Sequence, residues 1–311
     1  MYIGIIGFGA AAKRIVKILL KINNKFLLNI YTNKKEKNKN KNIIFYKPYI
    51  KNNLNEKKFF IANNSSDHFK FLNSLIRLNK DVYVEKPICT NFKEAVILKK
   101  QLGKSRSKIL IGYQFRENKC IQYLKKIINK NRKKILSVFA YSGEDVKNYH
   151  KGENYKNSYT VNKNKGGGVL LTQSHQIDYL SYLFGDFTKC KSLQSDVSRK
   201  FSLSANVENN VSYLLKTFDG ILINANLNYF GKKKTYIQIE TLDKTITWTN
   251  NNNTISIFTN AKKKIIKFRQ SREDMFRSRI KKFLGLKKKD KEDYNLFSTI
   301  LIVDIIKKNY L

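Results

Sequence analysis

The sequence predicts a parallel, doubly wound α/β domain followed by an α+β domain with a mostly antiparallel open sheet. Three observations carry this. Short apolar runs alternate with helical patterns from Tyr2 to Gly112, the arrangement that builds a parallel sheet covered by helices. The alternation then stops, and from Val211 to Phe268 five or six short β-rich runs follow one another, with turn signals at Asp219-Gly220 and Asn250–Asn253. A length of 311 residues, 41% of them hydrophobic and 13% aromatic, leaves room for two cores and excludes wholesale disorder.

The elements follow in order. Tyr2–Ile6 reads as a strand, Gly7-Phe8-Gly9 as a turn, and Ile15, Ile18, Leu19 and Ile22 recur at helical spacing. Because Lys13, Arg14 and Lys17 follow the apolar run instead of preceding it, this start is not read as a signal peptide. Phe26–Tyr31 is a second strand, and the Lys/Asn-rich segment to Asn42 is loop. Phe59–Ala62 is a strand, Asp67–Leu78 a helix, Val82–Val84 a strand, Phe92–Leu102 a helix and Lys108–Gly112 a strand. Beyond them come a helix at Cys120–Asn129, a strand at Ile135–Tyr141 and a helix at Gly168–Phe184. Leu296–Ile306 is apolar at helical spacing. The expected domains are 1–118 and 119–311, with a C-terminal helix, 295–309, packing back on the first.

A formal charge of +39, from 62 Lys and Arg against 23 Asp and Glu, invites a nucleic-acid reading. Two features weaken it. Only ten of the 62 cations are Arg, the residue that base and phosphate readers favour, and the excess is shared almost evenly between residues 1–120 (+19) and 121–311 (+20). A Lys-coated surface on a protein without a specific nucleic-acid partner is the simpler reading. No apolar run approaches membrane-spanning length. Cys89, Cys120 and Cys190 are widely spaced and odd in number, which fits a reducing, cytoplasmic setting and neither a disulfide framework nor a zinc site. No metal is expected.

Gly7-x-Gly9-x-x-Ala12 lies between a predicted strand and a predicted helix. There the first glycine makes a tight turn, and the second lets the backbone through Phe8, Ala10 and Ala11 approach a dinucleotide pyrophosphate at the helix N-terminus. The alternative is an ordinary glycine-containing turn. At the end of the second strand Thr32, Asn33, Lys34 and Lys35 stand where an acid would grip a ribose, with no carboxylate before Glu36. That set suits a 2′-phosphate, so the cofactor expectation is NADP or NAD with a lean to NADP; a solvated charge run is the alternative. Glu85-Lys86-Pro87 ends a strand at the crevice side of the sheet, where Lys86 can serve as a general acid–base group; a cis Lys–Pro bond is compatible with this turn. Gly166-Gly167-Gly168 leads into a predicted helix with His175 and Asp178 three apart on one face. The carboxylate can orient the imidazole, or the pair can be an ordinary structural hydrogen bond. His68 and His150 show no metal-ligand spacing.

Taken together, Gly7-Phe8-Gly9 with Arg14, Glu85-Lys86-Pro87, Gly112-Tyr113-Gln114-Phe115-Arg116 and Gly-Gly-Gly with His175-x-x-Asp178 resemble the Gfo/Idh/MocA family of glucose–fructose oxidoreductases and inositol dehydrogenases. The resemblance spans nearly the whole chain. It implies a Rossmann domain, a second domain whose open sheet often forms oligomer interfaces, and NAD(P)-dependent oxidation or reduction of a sugar or sugar nucleotide. It implies that Lys86 is catalytic, with His175 and Asp178 beside it, and that Asn63 and Glu85 join the cofactor contacts. Arg116 and Thr172, in the other motifs, become substrate contacts, as do Tyr155 and Tyr159, because Tyr149–Tyr159 looks like the substrate loop of members in bacterial surface-sugar and nonulosonate pathways. A homo-oligomer is expected. One departure matters: inositol-dehydrogenase-like members carry an Asp four residues before the histidine, and here that position is Leu171, with Thr172 next. The rival readings are a nucleotide-binding scaffold without turnover, motivated by Leu171, and a basic nucleic-acid binder.

Overall fold

The computed structural model describes residues 1–34, 40–47, 54–149, 152, 154–195, 205–288 and 300–304. These fall into two compact units, Met1–Tyr113 with Phe276–Ile300, and Gln114–Met275 with Leu301–Leu311.

The first unit is built on six parallel strands: β1 (Tyr2–Ile6), β2 (Leu27–Tyr31), β3 (Ile43–Tyr46), β4 (Lys58–Ile61), β5 (Asp81–Val84) and β6 (Ile109–Ile111), in the spatial order β3-β2-β1-β4-β5-β6. Helices α1 (Ala10–Ile22), α2 (Ser65–Arg77) and α3 (Phe92–Leu102) connect them. The central strands are buried almost continuously, as parallel strands covered on both faces must be. The strand order reverses between β1 and β4, so the connections leaving their C-terminal ends turn to opposite faces of the sheet, the place where open α/β sheets bind ligands. A helix beginning at Arg272 closes one face. Its Phe276, Ile280 and Phe283 join Ile3, Ile5, Phe60 and Tyr83 in one core, with Phe283 set edge-on to Phe60 at 5.0 Å.

The second unit opens with α4 (Lys119–Asn131) and β7 (Ile135–Gly143), then runs through short 3₁₀ turns to α5 (Val169–Thr172) and α6 (His175–Phe184). Strands β8 (Phe187–Ser195), β9 (Asn210–Thr217), β10 (Leu222–Asn228), β11 (Lys234–Thr241), β12 (Thr245–Thr249), β13 (Thr254–Phe258) and β14 (Lys263–Lys267) follow, and the chain continues into α7 (Arg272–Leu284). The eight-stranded sheet is ordered β14-β13-β12-β11-β7-β10-β9-β8 and is antiparallel except for the β7–β10 pair. Burial alternates along β9 and β10, so one face is packed and the other is open.

The sequence expectation and the structure differ in three places. Strands β3 and β8 and helix α7 were not anticipated. The helix expected over Gly168–Phe184 is two helices that break at Gln173–Ser174. Of the C-terminal helix expected over 295–309, residues 300–304 are helical and the rest lies outside the described residues.

Candidate active site

In the first unit β1 delivers the chain to Gly7, which has φ +92° and donates its N–H to the Tyr31 carbonyl at 2.9 Å. A Cβ there would lie 2.7–2.8 Å from the Asn63 backbone, so only glycine lets the ends of β1 and β4 come this close. Gly9 caps α1 without any side-chain hydrogen bond, and a Cβ on it would meet nothing within 4 Å. The first N–H groups of α1, from Ala10 and Ala11 onward, have no intrahelical acceptor and lie at the positive end of the helix dipole. This cradle fits a pyrophosphate. Phe8 lies beside it, edge-on to Phe45 at 5.2 Å.

At the end of β2, Thr32 donates its N–H to Tyr46, and its hydroxyl accepts from the Lys34 N–H at 3.1 Å. Asn33 and Lys34 are exposed, while Lys35 and Glu36 lie outside the described residues. A carboxylate unnoticed in the sequence stands under β2: buried Glu56 accepts from Asn29 at 2.6 Å and from the Tyr31 hydroxyl at 2.7 Å. Burial, reinforced by Glu56, pushes the Tyr31 phenol well above its usual range. Glu56 thus has a structural task on the sheet face.

Beyond β5, Glu85 donates its N–H to Ile61 and places its carboxylate where a Gly112 Cβ would be 2.9 Å away. Lys86 is half-buried, and the Lys86–Pro87 bond is cis. Against this turn stands His68, 1% exposed, with Nδ1 2.6 Å from the Pro87 carbonyl oxygen and Nε2 3.2 Å from that of Asn63. Among the described residues Asn63 Oδ1 is buried with no hydrogen-bond partner, an available acceptor beside the glycine turn.

In the second unit Gly168 has φ +110°, and a Cβ there would collide with the Glu208 carboxylate. That carboxylate accepts from the Leu170 N–H and so caps α5. Leu171 is buried in the apolar interior. The Thr172 hydroxyl donates to the Gly168 carbonyl at 2.8 Å and lies 2.6 Å from the Tyr229 hydroxyl. The residue expected to touch substrate is therefore a buried helix fastener. Gln173 donates to the Tyr149 hydroxyl at 2.5 Å and to the Asn228 carbonyl. Among the described residues, Gln173 Oε1 and Ser174 Oγ are buried acceptors without a partner, directly before His175.

His175 begins α6, with its ring edge-on to Phe115 at 5.2 Å. Phe115 also meets Tyr179 and Trp248, so the imidazole leans on an aromatic wall. Asp178 and Arg116, expected respectively to orient His175 and to meet substrate, are brought to each other. Arg116 Nη2 donates to Oδ1 at 2.6 Å and Nε to Oδ2 at 3.0 Å, and both residues are buried. The physical reason is desolvation: a guanidinium and a carboxylate buried together require the two-pronged match they make. Tyr155 and Tyr159 are half-buried in the loop, where Lys147 lies 5.9 Å from the Tyr155 ring. The loop is a chain of 3₁₀ turns in which Asn154, Ser158 and Asn162 each accept from the N–H two residues on. His150 lies outside the described residues. Among the described residues no cluster of His, Cys, Asp or Glu could hold a metal ion.

Residues 1–113 match the family described as "Oxidoreductase family, NAD-binding Rossmann fold", and residues 131–295 match its "C-terminal alpha/beta domain". The chain belongs to the Gfo/Idh/MocA oxidoreductase family. Its fold is shared across that family at low identity. The levoglucosan dehydrogenase complex with NADH and L-sorbose aligns with a TM-score of 0.80 at 12% identity, covering 99% of this chain and 96% of that one. The WlbA dehydrogenase of Bordetella pertussis, solved with NADH and UDP-GlcNAcA, aligns at 0.77 and 16% identity over 100% and 96%. A super-repressor mutant of Gal80p from Saccharomyces cerevisiae aligns at 0.80 and 14% identity over 100% and 95%. In sequence, Oxidoreductase P35 of Formosa agariphila is 26% identical over 137 residues, 42% of either chain. In this Gfo/Idh/MocA member the glycine turn follows β1 and Lys86 follows β5, as the sequence predicts. Phe115, Gln173 and Tyr149 lie within or beside the sequence motifs without an assigned role, and Tyr229 and Glu208 carry no sequence signal beyond being polar among apolar neighbours.

Proposed function

We propose that this protein is an NAD(P)-dependent oxidoreductase acting on a sugar or sugar nucleotide. The observation that carries the reading is the first unit's sheet, whose β1 and β5, on either side of β4, end in the glycine turn at the N-terminus of α1 and in a half-buried lysine, Lys86. When bound, the nicotinamide accepts or supplies the hydride at a carbinol or carbonyl carbon. Lys86 exchanges the proton of the reacting hydroxyl, and His175 hydrogen-bonds the substrate. Asn63 offers an acceptor to the cofactor. Thr32, Asn33 and Lys34 favour a 2′-phosphate, hence NADP, and Tyr155 and Tyr159 offer rings and hydroxyls to a sugar.

A substrate panel scored by nicotinamide absorbance, with wild type and Lys86→Ala side by side, tests this. The expected result is turnover of a sugar or sugar nucleotide that falls about a hundredfold or more in the variant, with cofactor affinity kept. Unchanged turnover rejects Lys86. Dissociation constants for the two cofactors test the NADP preference, and a strong preference for NAD overturns it.

A second reading, a nucleotide-binding scaffold without turnover, is favoured by buried Leu171 and the engaged Thr172 hydroxyl, which leave no carboxylate or unengaged hydroxyl at the family's acidic position. It predicts thermal stabilisation by NADP(H) with no sugar oxidised. We further propose a cytoplasmic homo-oligomer. Its support is that the three cysteines form no disulfide and that the open sheet face carries a depression of about 840 Å³ lined by Phe139, Tyr141, Leu193, Leu214 and Tyr236. No helix of the described residues is long and apolar enough to cross a membrane.

A further inference from the structure

We infer that His68 is the positioning residue for Lys86: its buried ring, held on the first turn of α2, donates to the Pro87 carbonyl and so ties the turn carrying Lys86 to that helix. The inference builds on the reading of Lys86 as the acid–base group, but its geometry stands apart from it. His68 lies in the first turn of α2, and its two ring nitrogens face two different backbone carbonyls, Pro87 at 2.6 Å and Asn63 at 3.2 Å. Asn63 is also the residue whose backbone the Gly7 Cβ position would strike. A single side chain therefore spans the cofactor turn and the lysine turn. A residue that only filled space would need volume there, not a nitrogen 2.6 Å from the Pro87 carbonyl oxygen.

The protonation state follows from the surroundings. Burial lowers the proton affinity of His68 and the Lys86 charge acts in the same direction, while the two carbonyls and Asp67 oppose them; the net direction is down. A neutral ring has one N–H, and the 2.6 Å contact assigns it to Nδ1, which donates to Pro87. Keeping this ring uncharged also keeps a second cation away from Lys86. Because the bond to Pro87 fixes the turn from which the Lys86 side chain springs, its loss is felt at the lysine ammonium.

Replacements separate the two nitrogens. His68→Asn keeps an N–H donor near the Nδ1 position, His68→Gln places its amide near Nε2, and His68→Ala removes both. Two measurements on the full chain need no substrate: amide hydrogen exchange of the peptide 84–91, and competitive acetylation of Lys86 across pH with acetic anhydride, referenced to exposed Lys13 and Lys17. The expected result is exchange about tenfold faster in His68→Ala and His68→Gln, reflecting local opening of the turn. In both, the Lys86 acetylation midpoint departs from its wild-type value. His68→Asn restores both readouts to near wild type. The proposal is overturned if His68→Asn is no better than His68→Gln, or if the Lys86 midpoint does not differ between wild type and His68→Ala. Should His68→Ala fail to fold, the Asn–Gln contrast decides alone. Rescue by Asn in a protein that turns over no sugar would keep the brace and reject the oxidoreductase reading; turnover without rescue would do the reverse.

Discussion

Around Lys86 the holding contacts run to backbone atoms: the Pro87 carbonyl to His68, the Glu85 N–H to Ile61, and the close pass of Gly7 over Asn63. Around His175 they run between side chains: Arg116 with Asp178, Phe115 with the imidazole, and Thr172 with Tyr229. A position defined by backbone is carried by the sheet itself and tolerates change in neighbouring side chains, His68 excepted. A position defined by a side-chain network depends on each member, because removing one leaves a buried polar partner unsatisfied.

Substitutions can break or sharpen that contrast. The largest effect is expected from Lys86→Ala, which should lower kcat by about a hundredfold or more while its thermal transition stays close to wild type. Next comes Asp178→Ala, which strands the buried Arg116 guanidinium; loss of about 3–5 kcal/mol is expected in urea unfolding. If it cost no more than a surface substitution, the side-chain account of the His175 region would fail. Gly7→Ala imposes φ +92° on a residue with a Cβ and pushes it into Asn63, so about 1–3 kcal/mol of stability should be lost, and calorimetric titration should register weaker cofactor binding. The smallest effect lies on the surface. The Arg132 guanidinium bonded to Asp219, with help from Thr217, holds that carboxyl below its ordinary value of 3.8. Its contribution is present above that value and is lost as pH falls through the lower folded-state pKa. Asp219→Asn should therefore lower Tm slightly at neutral pH, by an amount typical of an exposed pair, and the difference should vanish in a Tm series taken toward pH 2.

Local signals were legible. The β1–Gly7–α1 unit and the Glu85-Lys86-Pro87 turn each occupy a few consecutive residues, and strand alternation reported β9 and β10 directly. What was not legible depends on partners far apart in the chain. Arg116 and Asp178 are 62 residues apart, and nothing in His175-x-x-Asp178 reveals that a guanidinium takes the carboxylate. His68 and Pro87 are 19 apart, and only the parallel packing of β4 beside β5 brings them together. Strands β3 and β8 are edges with half-exposed patterns, too weak to stand out among lysines and asparagines. In α7 the apolar residues Phe276, Ile280 and Phe283 do repeat at helical spacing, but they sit within a heavily basic stretch that hides the face.

The edges of the eight-stranded sheet give part of the large positive charge a physical purpose. One border, β14, reads Lys263-Lys264-Ile265-Ile266-Lys267, and the other, β8, carries Lys189 and Lys191. Both borders present unpaired backbone groups that an incoming strand could match, and ammonium groups along them oppose docking of a like-charged border. Growth of the sheet from molecule to molecule is thereby discouraged along its rims, while its broad uncovered face is left available. On this view part of the lysine coat acts as a guard against fibre-like stacking.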